Sequence, residues 1–184
     1  MKTIRGCVLL LLLVVLTGCG GGGGGGGSTG ETPLSAGDHY LLFTVYSTAT
    51  LPVPVSSVEL GIKLPAGVTV ATTGGAAKDV PTASLTGYGS FASQYISGTY
   101  SSASAGSGGG IVHVGMVAAP SDFRIGRLLK LKFTVLLGQT VYASSFMVLN
   151  PGSVYHQMLG AGVDTQYLND EVGVAFQVTE YGGE

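Results

Sequence analysis

Residues 127–137 have the sequence RLLKLKFTVLL, in which apolar and polar side chains alternate. The apolar members of the alternation are Leu129, Leu131, Phe133, Val135 and Leu137, and the polar members between them are Lys130, Lys132 and Thr134. Successive side chains of a β-strand point to opposite faces, so this pattern predicts a strand with one buried face and one exposed face.

Similar alternation recurs along the chain, at residues 39–47, 58–64, 68–71, 111–118, 141–149 and 172–179. In the segment 111–118 one face consists of Ile111, His113, Gly115 and Val117. No segment has helical periodicity over eleven residues, although residues 153–159 are long enough for one or two helical turns. Glycine and serine dominate residues 101–110, which we expect to form a loop. Short strands without intervening helices predict an all-β fold, namely an antiparallel β-sandwich of the jelly-roll or immunoglobulin-like type.

The N-terminus has the features of an export signal. Lys2 and Arg5 are followed by nine consecutive apolar residues, 8–16, whereas a membrane-spanning helix needs about 20. The next residues, Leu16-Thr17-Gly18-Cys19, resemble the lipobox of bacterial lipoproteins. This resemblance implies cleavage before Cys19, a diacylglycerol on its thiol and acylation, for example with palmitate, of the new amino terminus. The alternative is an ordinary signal peptide with an incidental cysteine.

Three regions follow from these features. Residues 1–18 are the predicted signal peptide, residues 19–37 a lipidated cysteine with a glycine-rich tether, and residues 38–184 the sandwich domain. Eight consecutive glycines, 20–27, predict a flexible coil, which is either a leash for the domain or a generic lipoprotein spacer. Gly20, directly after the cysteine, implies by the lipoprotein sorting rule the outer membrane of a Gram-negative bacterium.

Charge and cysteine content exclude several functions for the mature chain. Removal of Lys2 and Arg5 leaves six basic and ten acidic residues, a formal charge of −4. This balance argues against nucleic acid as a partner, and it indicates that acyl chains rather than charges hold the protein on the bilayer. The two cysteines, Cys7 and Cys19, both precede the domain, which therefore lacks a thiolate nucleophile, a disulfide and a cysteine-ligated metal.

Two stretches of the predicted domain resemble the cohesin domain. They are VSSVELGIKLPAGVTV at residues 55–70 and GRLLKLKFTV at residues 126–135. Bacterial carbohydrate-binding modules with the same sandwich architecture are also similar. The cohesin resemblance implies a noncatalytic module that binds a dockerin-like protein on one sheet face, and the second resemblance implies a polysaccharide ligand.

Motifs for catalysis are not found, and we predict no catalytic residue and no cofactor. His39, His113 and His156 lack the spacing of a metal site, and no serine lies in a nucleophile-elbow motif. Paired carboxylates for glycoside hydrolysis cannot be recognised from spacing alone, so a hydrolase with an unrecognised site is the third hypothesis, after a protein-binding and a carbohydrate-binding module.

Two clusters are candidate ligand sites. Exposed aromatic side chains stack on sugars or anchor protein partners, and four occur within thirteen residues, at Tyr88, Phe91, Tyr95 and Tyr100. The alternative is that some of them belong to the core. Oxygen ligands suited to calcium occur at Asp164, Asn169, Asp170 and Glu171, although their spacing departs from that of an EF-hand. The alternative there is a solvated acidic turn.

Overall fold

A computed structural model describes residues 31–180, except for 74–77, 93–94, 105, 107, 119 and 163–165. The first five strands are β1 (Gly37–Ser47), β2 (Val55–Ala66), β3 (Val68–Thr69), β4 (Asp79–Val80) and β5 (Leu85–Gly87). The remaining elements are β6 (Ile96–Ser104), β7 (Gly108–Val117), β8 (Gly126–Val135), α1 (Ala143–Leu149), β9 (Tyr155–Gly160) and β10 (Val172–Glu180). Short 3₁₀ turns lie at Thr82–Ser84 and Gly89–Phe91.

The strands form two antiparallel sheets. Sheet A has the order β10-β1-β8-β3, with β5 also paired to β8, and sheet B has the order β4-β6-β7-β2-β9. One hydrophobic core receives side chains from both sheets. The predicted all-β sandwich is therefore confirmed.

The strand β8 has the predicted assignment of buried and exposed faces. Leu129, Leu131, Phe133 and Val135 of β8 are buried, and the polar residues between them are partly exposed. Leu137 departs from the prediction: it follows the end of β8 and is 91% exposed. The pairing register with β1 shifts beside Phe43, because Leu128 is one extra residue on β8 and forms a β-bulge there. Leu128 is also buried.

Three local predictions were wrong. Residues 143–149 form the helix α1 rather than a strand, and residues 155–160 form the strand β9 rather than helical turns. The glycine–serine tract contains the paired ends of β6 and β7 rather than only a loop. Gly110 makes this pairing possible, because it has a φ of 116° and a Cβ there would lie 2.0 Å from the carbonyl oxygen of Ser101.

The helix α1 packs against the core through Phe146, whose ring lies 5.1 Å from that of Phe133. Asn150 fixes the end of the helix to β2: its Oδ1 accepts a hydrogen bond from the Lys63 backbone N–H at 2.9 Å, and its Nδ2 donates to the Lys63 carbonyl at 2.9 Å. Among the described residues, no helix has both the length and the hydropathy to cross a bilayer.

The contacts of the domain extend to Glu31, seven residues before the predicted boundary at Asp38. The backbone N–H of Leu34 donates to the Val141 carbonyl at 2.8 Å, and the Leu34 side chain packs against the core. The Glu31 carboxylate accepts hydrogen bonds from the backbone N–H and the hydroxyl of Ser144. Cys19 and the run of glycines lie outside the described residues, so the signal peptide, lipidation and tether stay predictions.

Candidate binding face on the outer side of sheet B

Two of the four aromatic residues predicted as ligand contacts are core residues. Phe91 is fully buried and packs edge to face on Phe123, with ring centroids 5.2 Å apart. Tyr100 is buried in the same core, and its hydroxyl donates to the Gly109 carbonyl at 2.7 Å. Neither side chain is accessible to a ligand, which corrects the idea of one aromatic contact surface.

The other two lie apart from each other. Tyr88 is half-buried, and the Arg127 guanidinium on β8 of sheet A lies 6.0 Å from its ring centroid. Tyr95 is 84% exposed and directly precedes β6 of sheet B. Of the four predicted contacts, Tyr95 is thus the one whose side chain is largely exposed, and it lies next to the outer face of sheet B.

Residues that lie opposite one another on neighbouring strands form rows across the outer face of sheet B. One row joins Val117, Ser57 and Leu159, the next joins Ser97, Gly115, Glu59 and Gln157, and a third joins Thr99, His113, Gly61 and Tyr155. Inward neighbours on the same strands, such as Val58 and Met116, are buried. The strand face formed by His113, Gly115 and their neighbours on β7 is therefore the outer one.

Glycine in the third row brings two rings together. A Cβ on Gly61 would lie 3.1 Å from the Tyr155 ring and 3.4 Å from the His113 ring. Both rings therefore lean over Gly61 and bury it, although Tyr155 itself remains 59% exposed. A larger residue at position 61 would push these rings apart, so glycine here sets the shape of the face.

Exposed side chains also border the first row. The Val117 backbone N–H donates to the Tyr95 carbonyl at 3.1 Å, which places Tyr95 beside the β7 end of the row. At the other end Tyr167, 59% exposed, forms a bridge with Leu159. Between them lies a shallow groove of about 510 Å³ with Gly115 and Gln157 in its lining. Tyr95 thus lines a groove of largely small and apolar side chains, and Tyr167 is the bridge partner of Leu159, another lining residue.

The face carries little charge. Of the outward residues in the rows above only Glu59 is charged, and Lys63 follows it four residues later on the same side of β2. The core of a protein interface is depleted in charged residues and enriched in tyrosine, which is the composition found here. Such a surface can bind a partner by burial and hydrogen bonding, without a metal or a nucleophile.

Sequence reasoning missed Tyr155 and Tyr167. The pattern of residues 153–159 is compatible with one or two helical turns and predicts no strand, so Tyr155 was not assigned to a strand face. The available signal was the alternation of Tyr155, Gln157 and Leu159 with His156 and Met158, which is too short to distinguish from a helical turn. The strand becomes recognisable only through its pairing with β2.

In the predicted calcium cluster the side chain of Asn169 and the backbone carbonyls of Asp170 and Glu171 take part in structural contacts. Asn169 Oδ1 accepts a hydrogen bond from the Met158 backbone N–H at 2.8 Å. Thr48 donates its hydroxyl to the Asp170 carbonyl and its backbone N–H to the Glu171 carbonyl. Asp164 lies outside the described residues, so the full cluster stays a prediction. Within the described part of the chain, no three His, Cys, Asp or Glu side chains are grouped to hold a metal ion.

The three histidines occupy separate environments. His39 is buried, with Nε2 2.8 Å from the Ser35 carbonyl oxygen and its ring stacked on Phe133. His156 is partly buried, with its ring nitrogens 2.8 and 3.2 Å from the carbonyl oxygens of Val154 and Val172. These two side chains are engaged within the domain, whereas His113 lies on the outer face of sheet B.

Comparison with protein-family models, with curated proteins and with solved structures found no significant match to this chain.

Proposed function

We propose that the protein is an exported lipoprotein, anchored through Cys19 in the outer membrane of a Gram-negative bacterium, that presents a noncatalytic β-sandwich binding module. Its partner is a protein that docks on the outer face of sheet B. The observation that carries the proposal is the exposure of Tyr95, Tyr155 and Tyr167 on this sheet, where Tyr95 lines a shallow groove.

The chemistry of the face favours a protein partner over a polysaccharide. Tyrosine provides a large contact area at a low cost in side-chain entropy, and it is enriched at binding hot spots. Val117 and Ile111 are also exposed here, and such aliphatic side chains add apolar contact area but offer sugars no aromatic surface for stacking. The cohesin resemblance implies the same mode of binding, a partner on one sheet face.

Photo-crosslinking in intact cells tests the docking face. We expect a photoreactive phenylalanine analogue at position 95 or 155 to give a discrete adduct, in which mass spectrometry after digestion finds a peptide of a second protein. The matched control carries the analogue at Tyr46 or Tyr88, two tyrosines associated with sheet A, and should give none. Equal adducts from both sheets would contradict the proposed face, and a glycan in place of the second peptide would establish the carbohydrate-binding alternative.

The anchor is tested separately at Cys19. The variant Cys19→Ser replaces the thiol that would accept the acyl chain, so we expect an uncleaved precursor without lipid. Metabolic labelling with palmitate, followed by detergent partitioning, measures the outcome. Palmitate incorporation into the variant would contradict lipidation at Cys19.

A further inference from the structure

Part of a long uncharged segment exposes apolar side chains that lie outside the rows of the proposed docking face. Residues 133–163 contain no Asp, Glu, Lys or Arg. Within them Met147 is 58% and Val148 78% exposed, both on α1, and the still more exposed Leu137 lies between β8 and α1. We call Met147 and Val148 the helix patch. Neighbouring exposed apolar side chains, unlike isolated ones, are typical of a surface that contacts a partner or a membrane.

The helix patch has a fixed orientation. Phe146, the preceding residue, is fully buried against Phe133, so α1 cannot turn its apolar side chains inward without losing that packing. The hydrogen bonds from Asn150 to Lys63 hold the other end of the helix. The patch is therefore a permanent outer surface of the domain.

The position of Glu31 beside α1 and the short sequence between Cys19 and Glu31 favour a membrane as the surface that covers the patch. The Ser144 hydroxyl donates to the Glu31 carboxylate, and side chains four apart on a helix share a face, so the Glu31 carboxylate lies on the side of α1 that carries Val148. Only twelve positions separate Glu31 from Cys19, and nine of the eleven residues between them are glycine. A coil of this composition has an expected span of about 20 Å. A lipid on Cys19 would thus hold α1 close to the bilayer.

We infer that the helix patch rests in the interface of the membrane that anchors Cys19, an inference that builds on the proposed lipid anchor. Two apolar side chains bind a bilayer weakly on their own. The short tether makes their contact intramolecular, so a weak interaction suffices to orient the domain. Met147 and Val148 belong to none of the rows on the outer face of sheet B, so the two proposals concern different residues.

Fluorescence quenching by lipid tests this contact. The full-length protein is produced as Val148→Cys, labelled with an environment-sensitive fluorophore and reconstituted in vesicles of phosphatidylethanolamine and phosphatidylglycerol. The predicted mature chain has no other free thiol, because Cys19 is acylated and Cys7 is removed. Val117→Cys, at an exposed valine on sheet B, is the matched control. We expect spin-labelled lipid to quench the label at position 148 several-fold more than at position 117.

Two outcomes would overturn the inference in distinguishable ways. Mass spectrometry of the same sample reports whether Cys19 carries acyl chains. Equal quenching at positions 148 and 117 in acylated protein would overturn the membrane contact alone and leave the anchor intact. An unacylated Cys19 would overturn the anchor and the contact together. In acylated protein, Met147→Asp should reduce the quenching at position 148 to the level of the control, and unchanged quenching would also count against the contact.

Discussion

Phe133 and Lys132 are neighbours in β8 whose side chains point to opposite sides of sheet A. Phe133 is buried and contacts both His39 and Phe146. Removing its ring should leave a cavity, so we expect Phe133→Ala to lower the free energy of unfolding by about 3–5 kcal/mol.

Lys132→Ala is the matched control for this change. The Lys132 ammonium lies 2.6 Å from an Asp38 carboxylate oxygen, in an ion pair that is about one-third exposed, and its loss should cost less than about 1 kcal/mol. Urea unfolding measures both variants. Similar losses would mean that the inward face of β8 has been misassigned.

Asp38 links the stability of sheet A to pH. Its ion pair and hydrogen bond with Lys132, followed by the hydrogen bond from Thr134, lower the pKa of the Asp38 carboxyl. A lowered pKa in the folded state stabilises the protein above the unfolded pKa of about 4, and this contribution disappears as the pH falls through the folded pKa.

The variant Asp38→Asn should therefore be less stable than the parent at pH 7, and the difference should vanish in strong acid. Because the pair is partly exposed, we expect an effect of no more than about 1 kcal/mol. Urea unfolding between pH 7 and pH 2 measures it. A difference that persists at low pH would indicate loss of packing rather than of charge.

At the scale of elements, Asn150 connects α1 with β2. Its amide Nδ2 also donates to the Phe146 carbonyl at 2.8 Å, so one side chain satisfies the helix end and the Lys63 backbone together. We expect Asn150→Ala to cost about 1–3 kcal/mol, since the partners lose hydrogen bonds that the helix end cannot replace.

Ser145→Ala, within the same helix, is the control and should change stability by less than about 0.5 kcal/mol. Thermal unfolding followed by circular dichroism compares the two variants. Equal melting temperatures would show that the Asn150 side chain does not hold the helix in place.

The same part of the chain shows where sequence patterns stop being informative. Long alternations such as those in β1, β2 and β8 predict both the strand and its buried face, because each contains several consecutive in–out pairs. Segment 141–149 also alternates, yet its last seven residues fold as the helix α1, which places Phe146 in the core. Over so few residues, packing rather than local pattern decides between helix and strand.

The candidate site was predictable only in part for a related reason. Tyr95 was identified because aromatic residues are conspicuous in a glycine-rich stretch. Tyr100 occurs in the same stretch but points inward from β6, and the exposed Tyr155 lies on a strand more than fifty residues away. Which tyrosines share a surface depends on strand pairing across the sheet, and that information is nonlocal.

For the whole domain, we expect a fragment of residues 31–184 to fold independently and a fragment of residues 38–184 to be less stable. The shorter fragment lacks Leu34, its hydrogen bond to Val141, and the Ser35 carbonyl that faces the buried His39. These losses should lower the free energy of unfolding by about 1–3 kcal/mol. Urea unfolding compares the fragments, and equal midpoints would place the domain boundary at Asp38.

The order of the strands also determines when the domain can fold. Among the ten described strands, β6 and β7 are the only consecutive ones that pair, while β1 pairs with β8 and β10. Folds dominated by such distant pairings form slowly, on the order of milliseconds to seconds. During synthesis, β1 has no partner along one edge until residues 172–180 have been made. The first strand therefore cannot complete sheet A before the last one has emerged from the ribosome, a delay that would keep the chain unfolded long enough for the export that we propose.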